Sequence, residues 1–327
     1  MGQKAWIVDK PGGDFRAVAS PPSKPAANQV LVRIAASGVN PLDTKIRAGK
    51  AAHAKQPLPA VLGVDMAGTI EAVGSDVSAF MPGDEVYGMV GGVGGLQGTL
   101  AEFIAADADL IAHRPKNLSM REAAALPLST ITAWEGLVDR ARVGVGHKVL
   151  IHAGAGGVGH IAIQIARAFG GEVFTTVSTN KKHVVEGLGA IAVDYEAVSV
   201  EEYVATYTSG KGFDIIFDTV GGATLDASFS AVKRYTGHVM SVLGWGTHSL
   251  APLSFRGASY SGVFTLFPLI SGEARAHHGE ILARAASLAE AGKLKPFLSD
   301  QRFSTADIGA AYDLVESGSL GKVIVEL

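Results

Sequence analysis

The sequence predicts an α/β protein of two domains, an irregular β-barrel and a doubly wound parallel sheet. Three observations predict it. Residues 1 to about 120 read as short strands punctuated by turns, the habit of an irregular barrel. From near Gly146 onward, six apolar strands alternate with helical segments over short links, the pattern of a doubly wound sheet. A glycine-rich loop joins the first of those strands to the first helix. The 327 residues agree with two domains, and a chain this long needs no cross-links to bury a core.

In the first region Lys4–Val8 and Gln29–Ala35 are strand-like, and Pro21, Pro22 and Pro25 break the chain between them. Gly68–Val73 continues the pattern, and Met81-Pro82-Gly83-Asp84 turns the chain into a strand at Glu85–Val90. A short helix at Arg121–Ala125 leads out. The second region carries strands at Lys148–Ala153, Glu172–Val177, Ile191–Tyr195, Phe213–Val220, His238–Gly244 and Ser259–Leu266. Between the first two, Val158, Ile161, Ile165 and Phe169 recur at helical spacing while Gln164 and Arg167 point elsewhere. The tail adds helices at about His277–Ala291 and Ala306–Glu316, then a last strand, Lys322–Leu327.

Composition excludes several chemistries. With no cysteine there are no disulfides, thiol nucleophiles, iron–sulfur ligands or thiolate zinc sites. Lys plus Arg is 28 against 31 Asp plus Glu, with no basic stripe for a phosphate backbone, so nucleic acid is not expected as a partner. Met1–Phe15 lacks the apolar core of a signal peptide, and Trp6 stands where a myristoylation signal wants Ser or Thr. Tyr235–Phe255 is free of Lys, Arg, Asp and Glu, but its Gly237, Gly244, Gly246 and Pro252 suit strand and loop rather than a spanning helix. The expectation is a soluble, cytoplasmic protein with no membrane partner. The 41 glycines suggest many tight turns and close backbone approaches.

Gly154-Ala155-Gly156-Gly157-Val158-Gly159 satisfies G-x-G-x-x-G in its required setting, after one strand and opening a helix. The first glycine permits the tight turn, the second lets the backbone approach a pyrophosphate, and the third lets helix and strand pack closely. Free amides at the helix N-terminus then face the negative charge. Gly91–Gly98 has similar spacings but leads into a strand-like run, and reads as a plain glycine turn. An NAD site usually ends its second strand with an acid; here that strand ends in Ser178-Thr179-Asn180-Lys181-Lys182. Lysine attracts a 2′-phosphate, so Ser178 and Lys182 point to NADPH rather than NADH.

With these pieces placed, the chain resembles the medium-chain dehydrogenase/reductase superfamily, and within it the zinc-free quinone oxidoreductases. The residues that carry the resemblance are Gly38–Arg47, Leu62–Gly68, Pro82–Val86, Ala123–Pro127, the Gly154–Gly159 loop and Gly321-Lys322-Val323. It implies a GroES-like catalytic domain at residues 1–121 and 268–327 and a Rossmann NADPH-binding domain at 122–267, with a cleft between them. It also implies a homodimer joined through the Ser259–Leu266 strand. Zinc members of the superfamily place a cysteine where Asn40 stands and a His-Glu pair where Val64-Asp65 stands; their four-cysteine lobe has no counterpart, and no metal is expected.

The resemblance implies that Asn40 hydrogen-bonds substrate or nicotinamide, and that Lys45 stands where related enzymes often carry a tyrosine. A lysine can donate to an oxyanion but cannot stack on a substrate. Thr132 resembles a nicotinamide contact. On the cofactor side come Tyr195 near the 2′-phosphate, Thr219 and Gly244 at carboxyl ends of strands, and Phe264 and Lys322. Without zinc, hydride transfer to an electron-poor acceptor is the chemistry that remains, because a quinone or enone spreads the arriving charge over a conjugated carbonyl. The expected function is NADPH-dependent reduction of quinones or related conjugated carbonyls. The alternatives are a 2-alkenal or enoyl-thioester reductase on the same scaffold, and a non-catalytic NADPH-binding protein.

Overall fold

The computed structural model describes residues 2–21 and 24–327; the expected break at Pro22 lies outside the described residues. The chain forms two compact units. The first runs to Ile131 and resumes at Leu266–Gly292 and Pro296–Leu327, and the second is Thr132–Thr265 with Lys293–Lys295. The change of unit therefore falls ten residues later than the expected 121/122. The cause is local: the Leu128 N–H donates to Asp65 Oδ1 at 2.9 Å and keeps the start of the Pro127–Trp134 helix on the first unit. Lys295 is held in the second unit by a two-way bond with the Gln164 carboxamide, at 3.0 and 2.8 Å.

The first unit is built on Gln29–Val39, an eleven-residue strand whose alternating Val30, Val32 and Ile34 are buried. It lies between Val323–Glu326 and Asp65–Val73 in a seven-stranded sheet that continues through Glu85–Met89 to Ile111–His113. Phe303–Ser304 forms the other end, and Phe103–Asp107 pairs with the first half of the long strand. Register shifts at Leu31/Val32 and Ile34/Ala36 bend the long strand, so one strand serves two sets of neighbours. A three-stranded sheet of Phe15–Ser20, Gln3–Val8 and Ala60–Val61 completes the strands. The register places Val323 opposite Val39 and Gly38 opposite Asp65. Asn40, Asp65 and Lys322 thus converge at one end of the sheet from three separated stretches of sequence.

The second unit is a six-stranded parallel sheet. In spatial order its strands are Ile191–Asp194, Glu172–Val177, Lys148–Ile151, Ile215–Asp218, His238–Ser241 and Ser259–Gly262. Numbered along the chain that order is third, second, first, fourth, fifth, sixth: the doubly wound topology, with its switch point between the first and fourth strands. The strands are apolar on both faces because helices cover them. Phe174, Phe213, Ile216 and Phe229 are fully buried, and the Phe213 ring meets Phe174 edge-on at 5.4 Å.

Several strands stop short of their expected ends, each for a visible reason. Ile215–Asp218 ends because Asp218 Oδ1 turns back to accept the amides of Val220 and Gly221, both at 3.0 Å. His238–Ser241 ends where Ser241 Oγ accepts the Leu243 amide at 3.1 Å. Lys148–Ile151 ends before Ala153, which adopts left-handed backbone with φ of 56°. The last strand closes at Gly262, and the chain turns into the Phe267–Ser271 helix. Tyr195, Gly244 and Phe264, expected within strands, therefore lie just beyond them. Among the described residues, no helix is long and apolar enough to cross a membrane.

Phe213→Ala should destabilise the second unit by about 3–5 kcal/mol, the usual cost of emptying a buried aromatic site. Urea unfolding followed by a probe in that unit measures it; a loss under about 1 kcal/mol would mean that Phe213 is not central to the core.

Candidate functional site

In the second unit the Gly154–Gly159 turn lies at the carboxyl end of the first strand, beside the switch point. The helix Gly157–Ala168 follows with Gly156 as its N-cap and no side chain bonded to its first amides. Those amides and the helix dipole form an anion cradle. A Cβ on Gly154 would collide with Thr175 of the neighbouring strand, and one on Gly159 would collide with the Ala153 carbonyl. The division of labour differs from expectation at one place. Ala153 makes the left-handed turn, and Gly154 is needed for close approach to Thr175. Gly156 and Gly157 are exposed on the turn's surface, and Ala155 and Val158 are half-buried beside them.

A buried network holds Ala153 in that conformation. The Ser228 hydroxyl donates its single proton to the Thr224 carbonyl at 2.8 Å, so it accepts from His152 Nε2 at 3.1 Å. His152 Nδ1 then accepts from Thr176 Oγ1 at 3.1 Å, and Thr176 Oγ1 accepts the Ala153 amide at 3.1 Å. Every bond suits a neutral imidazole. Burial pushes His152 down to about 4, against the smaller pull of Asp218. Thr219 Oγ1 closes the network by donating to the His152 carbonyl at 2.7 Å.

The end of the second strand carries an acid the sequence reading did not place there. Lys182 Nζ pairs with Asp194 Oδ2 at 3.0 Å, and Thr179 Oγ1 donates to the same oxygen at 2.5 Å. The Thr179 hydroxyl, then the Lys182 ammonium, hold Asp194 below the usual carboxylate range. The acid missing from the second strand is thus supplied by the end of the third. Lys182 is partnered rather than an isolated cation. The Ser178 hydroxyl donates to Asn180 Oδ1 at 2.8 Å, and Tyr195 is 56% exposed. Gly244 leaves room for the Tyr260 hydroxyl, and Phe264 is 37% exposed rather than part of the core. Thr132, buried, lies 3.5 Å from the Thr265 hydroxyl.

In the first unit, three strand ends bring together a buried polar cluster. Lys322 Nζ donates to Asn40 Oδ1 and, at 3.1 Å, to Asp65 Oδ2. Asn40 Nδ2 donates to Asp65 Oδ2 at 3.0 Å. Gly38 leaves the space that the Lys322 side chain and the Ala124 carbonyl occupy. Lys322, expected as a cofactor-side residue, lies in the first unit, where it bonds to Asn40 and Asp65. Lys45 does not join this cluster. It is exposed on the Pro41–Arg47 helix, near His53, whose ring burial and then the Lys45 charge hold below its usual value. That helix turns Asp43, Thr44 and Ile46 inward, so its fifth residue faces out. Asp43, wholly buried, accepts the Asn40 amide at 2.8 Å. Burial pushes it up to about 7, the nearby Asp65 adds to the rise, and Asn40 and Lys322 oppose it.

Comparison with known proteins bears on both units. Residues 26–116 match the family described as alcohol dehydrogenase GroES-like domain, and residues 188–325 match zinc-binding dehydrogenase. An NADPH-dependent alkenal/one oxidoreductase of Arabidopsis thaliana is 34% identical over 98% of this chain and 79% of its own length. The quinone oxidoreductase of Homo sapiens is 32% identical, covering 93% and 90%. An alcohol dehydrogenase superfamily protein from Novosphingobium aromaticivorans is 54% identical over 99% of both chains, with a TM-score of 0.97. The chain belongs to the medium-chain dehydrogenase/reductase superfamily, in its quinone oxidoreductase-like branch.

Zinc is part of the name of one matching family, so the fit of the residues here to a metal matters. Asn40 Oδ1 and Asp65 Oδ2 both accept from the Lys322 ammonium, and Asp65 Oδ1 accepts the Leu128 amide. A divalent cation would have to displace a buried charge of its own sign. The donor set contains no thiolate or imidazole, and it does not fit zinc. A dinucleotide does fit the cradle of this superfamily member, whose turn is cleared of side chains where a pyrophosphate would lie.

Two outcomes follow. Gly159→Val should lower the melting temperature and weaken dinucleotide binding at least about tenfold, read by nucleotide fluorescence, because the helix can no longer approach Ala153. The second concerns Asp43. Its folded value of about 7 lies above the ordinary 3.8, so the folded protein binds this proton more tightly than the unfolded chain. The resulting stability is full below the ordinary value, falls as pH rises, and is lost above the folded one, a change of about 4 kcal/mol. Asp43→Asn should flatten that slope in urea unfolding between mildly acid and mildly alkaline pH. Parallel slopes for the two proteins would refute the assignment.

Proposed function

We propose that this protein is an NADPH-dependent reductase that delivers hydride to quinones or related conjugated carbonyls without zinc. The observation that carries the reading is the Asn40–Asp65–Lys322 cluster. It can hydrogen-bond a carbonyl oxygen, yet it has no donors suited to a metal. Alcohol oxidation would need a Lewis acid there; a conjugated acceptor needs only positioning and donors for its developing oxyanion. When bound, the reduced nicotinamide supplies the hydride.

The roles fall to residues as follows. Asn40 is the donor to the acceptor's oxygen. The amides of Gly157, Val158 and Gly159 take the pyrophosphate, with Gly154, Ala155 and Gly156 forming the turn. Ser178, Lys182 and Tyr195 lie on the side that would receive a 2′-phosphate. Lys182 pairs with Asp194 and Lys181 adds a second positive charge to the same turn, and this balance supports NADPH over NADH. Thr132, Thr219, Gly244 and Phe264 are assigned to the cofactor, and Lys45, solvent-facing, is assigned to the approach of the acceptor. The same reading takes the protein as a cytoplasmic homodimer. Ser259–Gly262 is the edge strand of its sheet, and an unpaired edge is a template for a second copy.

NADPH and NADH oxidation against 1,4-naphthoquinone, 9,10-phenanthrenequinone, a 2-alkenal and a crotonyl thioester tests the function. Metal-free turnover with NADPH and a quinone is the expected result. Turnover with only the alkenal or thioester would move the protein to the rival substrate class, and binding without turnover would make it a non-catalytic NADPH-binding protein. Lys182→Glu should weaken NADPH binding by about tenfold or more and leave NADH nearly unchanged; equal losses would overturn the 2′-phosphate assignment. Light scattering in solution should give twice the mass of one chain.

A further inference from the structure

The second unit has a cavity at the amino ends of its strands, opposite the end that carries the Gly154–Gly159 turn. Its volume is about 420 Å³, enough for a small organic molecule. Three separate stretches form it: residues 141–147, which lead into the first strand, Asp214 and Ile215 at the start of the fourth, and residues 233–238, which lead into the fifth. Backbone bonds fix all three. The Lys233 amide donates to the Phe213 carbonyl at 2.8 Å, the His238 amide to the Asp214 carbonyl at 3.0 Å, and the Asp214 amide to the Lys148 carbonyl at 3.0 Å.

The polar side chains of the wall have donors to spare. The Gly144 amide donates to His147 Nδ1 at 3.3 Å, which puts the proton of the neutral ring on Nε2. That N–H has no acceptor among the described residues and reaches solvent. Lys233 gives one of its three ammonium protons to Asp214 Oδ1 at 2.6 Å, and its side chain is 40% exposed. Thr236, on the exposed rim, adds a hydroxyl. His238 Nε2 lies 2.8 Å from Ser261 Oγ; burial, and then the Arg140 charge, holds this ring below its usual value and keeps it neutral near pH 7.

Both oxygens of Asp214, the carboxylate in this wall, are already engaged: Oδ1 by Lys233, and Oδ2 by the Lys148 amide at 2.9 Å. Burial pushes Asp214 up, but the Lys233 ammonium, the Lys148 amide and the nearby His147 ring bring it below the usual carboxylate range. It stays ionised and balances Lys233. A dianion would meet that carboxylate, whereas a single negative charge is matched by the spare donors of Lys233, His147 and Thr236. We propose that this cavity binds a small organic monocarboxylate, its oxygens on Lys233 and His147 and its apolar body against Ala141, Val145 and Ile215. The site is separate from the dinucleotide cradle and independent of the reductase reading.

The probe is 2-naphthoate, titrated into protein with carbon-13-labelled histidine rings and NADPH in excess, and followed by NMR. The His147 and His238 signals, assigned from His147→Gln and His238→Gln, should move along one saturating curve. A probe of this size should give a Kd of about a millimolar or tighter. His152, at the cradle end of the first strand, should stay still. The uncharged 2-naphthamide should bind at least about tenfold more weakly.

Lys233→Gln alone would strip Asp214 of its counter-ion, so it is combined with Asp214→Asn; the pair should weaken naphthoate binding about tenfold. Val145 is 89% exposed and takes a charge without loss of packing. Val145→Glu should weaken naphthoate binding about threefold and Val145→Lys should tighten it by a similar factor. A folding defect does not produce opposite signs at one position. No movement of His147 up to about 10 mM naphthoate, movement of His152 instead, or equal affinity for acid and amide overturns the proposal. So does tighter binding of 2-naphthyl phosphate, which would assign the cavity to a dianion. Should the double variant fail to fold, the two Val145 variants decide.

Discussion

The buried contact of Lys322 with Asn40 and Asp65 joins the last strand of the chain to two strands that precede it by more than 250 residues. The sheet register brings the three groups to one place, and the ion pair then makes any other register costly. A slip of one residue would turn Lys322 to the opposite face and leave Asp65 buried without its cation. A well-packed apolar trio would hold the strands at least as firmly. Asp43, on the helix that follows Asn40, keeps its proton to higher pH because burial disfavours its charged form, and the nearby Asp65 carboxylate adds to the rise.

The second unit solves a different problem, presenting bare backbone to an anion at the end of a parallel sheet. Small residues do this by omission. Gly154 and Gly159 are excluded from bearing side chains by Thr175 and the Ala153 carbonyl. The positive φ of Ala153 is a local cost, offset by a buried network in which His152 stays neutral and every hydroxyl proton is assigned. The same logic operates at the neighbouring strand end, where Asp194 holds Lys182 and Thr179 in fixed positions. A charge held in place discriminates better than a mobile one, because less side-chain entropy is lost when a ligand arrives.

Much of the architecture was legible in the chain. The alternation of apolar strands with helices from Lys148 onward fixed the class of the second unit, because a parallel sheet needs a crossover helix for each strand. The glycine spacing at Gly154–Gly159, set between strand and helix, marked the cradle. Strand ends were read too long at Val220, Gly244 and Leu266, since hydrophobicity continues there while side-chain bonds from Asp218 and Ser241 have already turned the backbone. Propensity scales carry no information about such side-chain-to-backbone competition.

By itself, the sequence determined the periodicities, the glycine positions and the absence of thiolate chemistry, all of which are local or compositional. It pointed to Asn40 and Lys322 as candidate site residues, but not that they touch. Tertiary packing alone set Lys322 against Asn40 and Asp65, turned Lys45 outward and brought Asp194 to Lys182. Each of these is a pairing between residues far apart in the chain or on opposite faces of one helix. Pairings depend on strand register and helix phase, and those are settled by burying every apolar side chain of the fold at once.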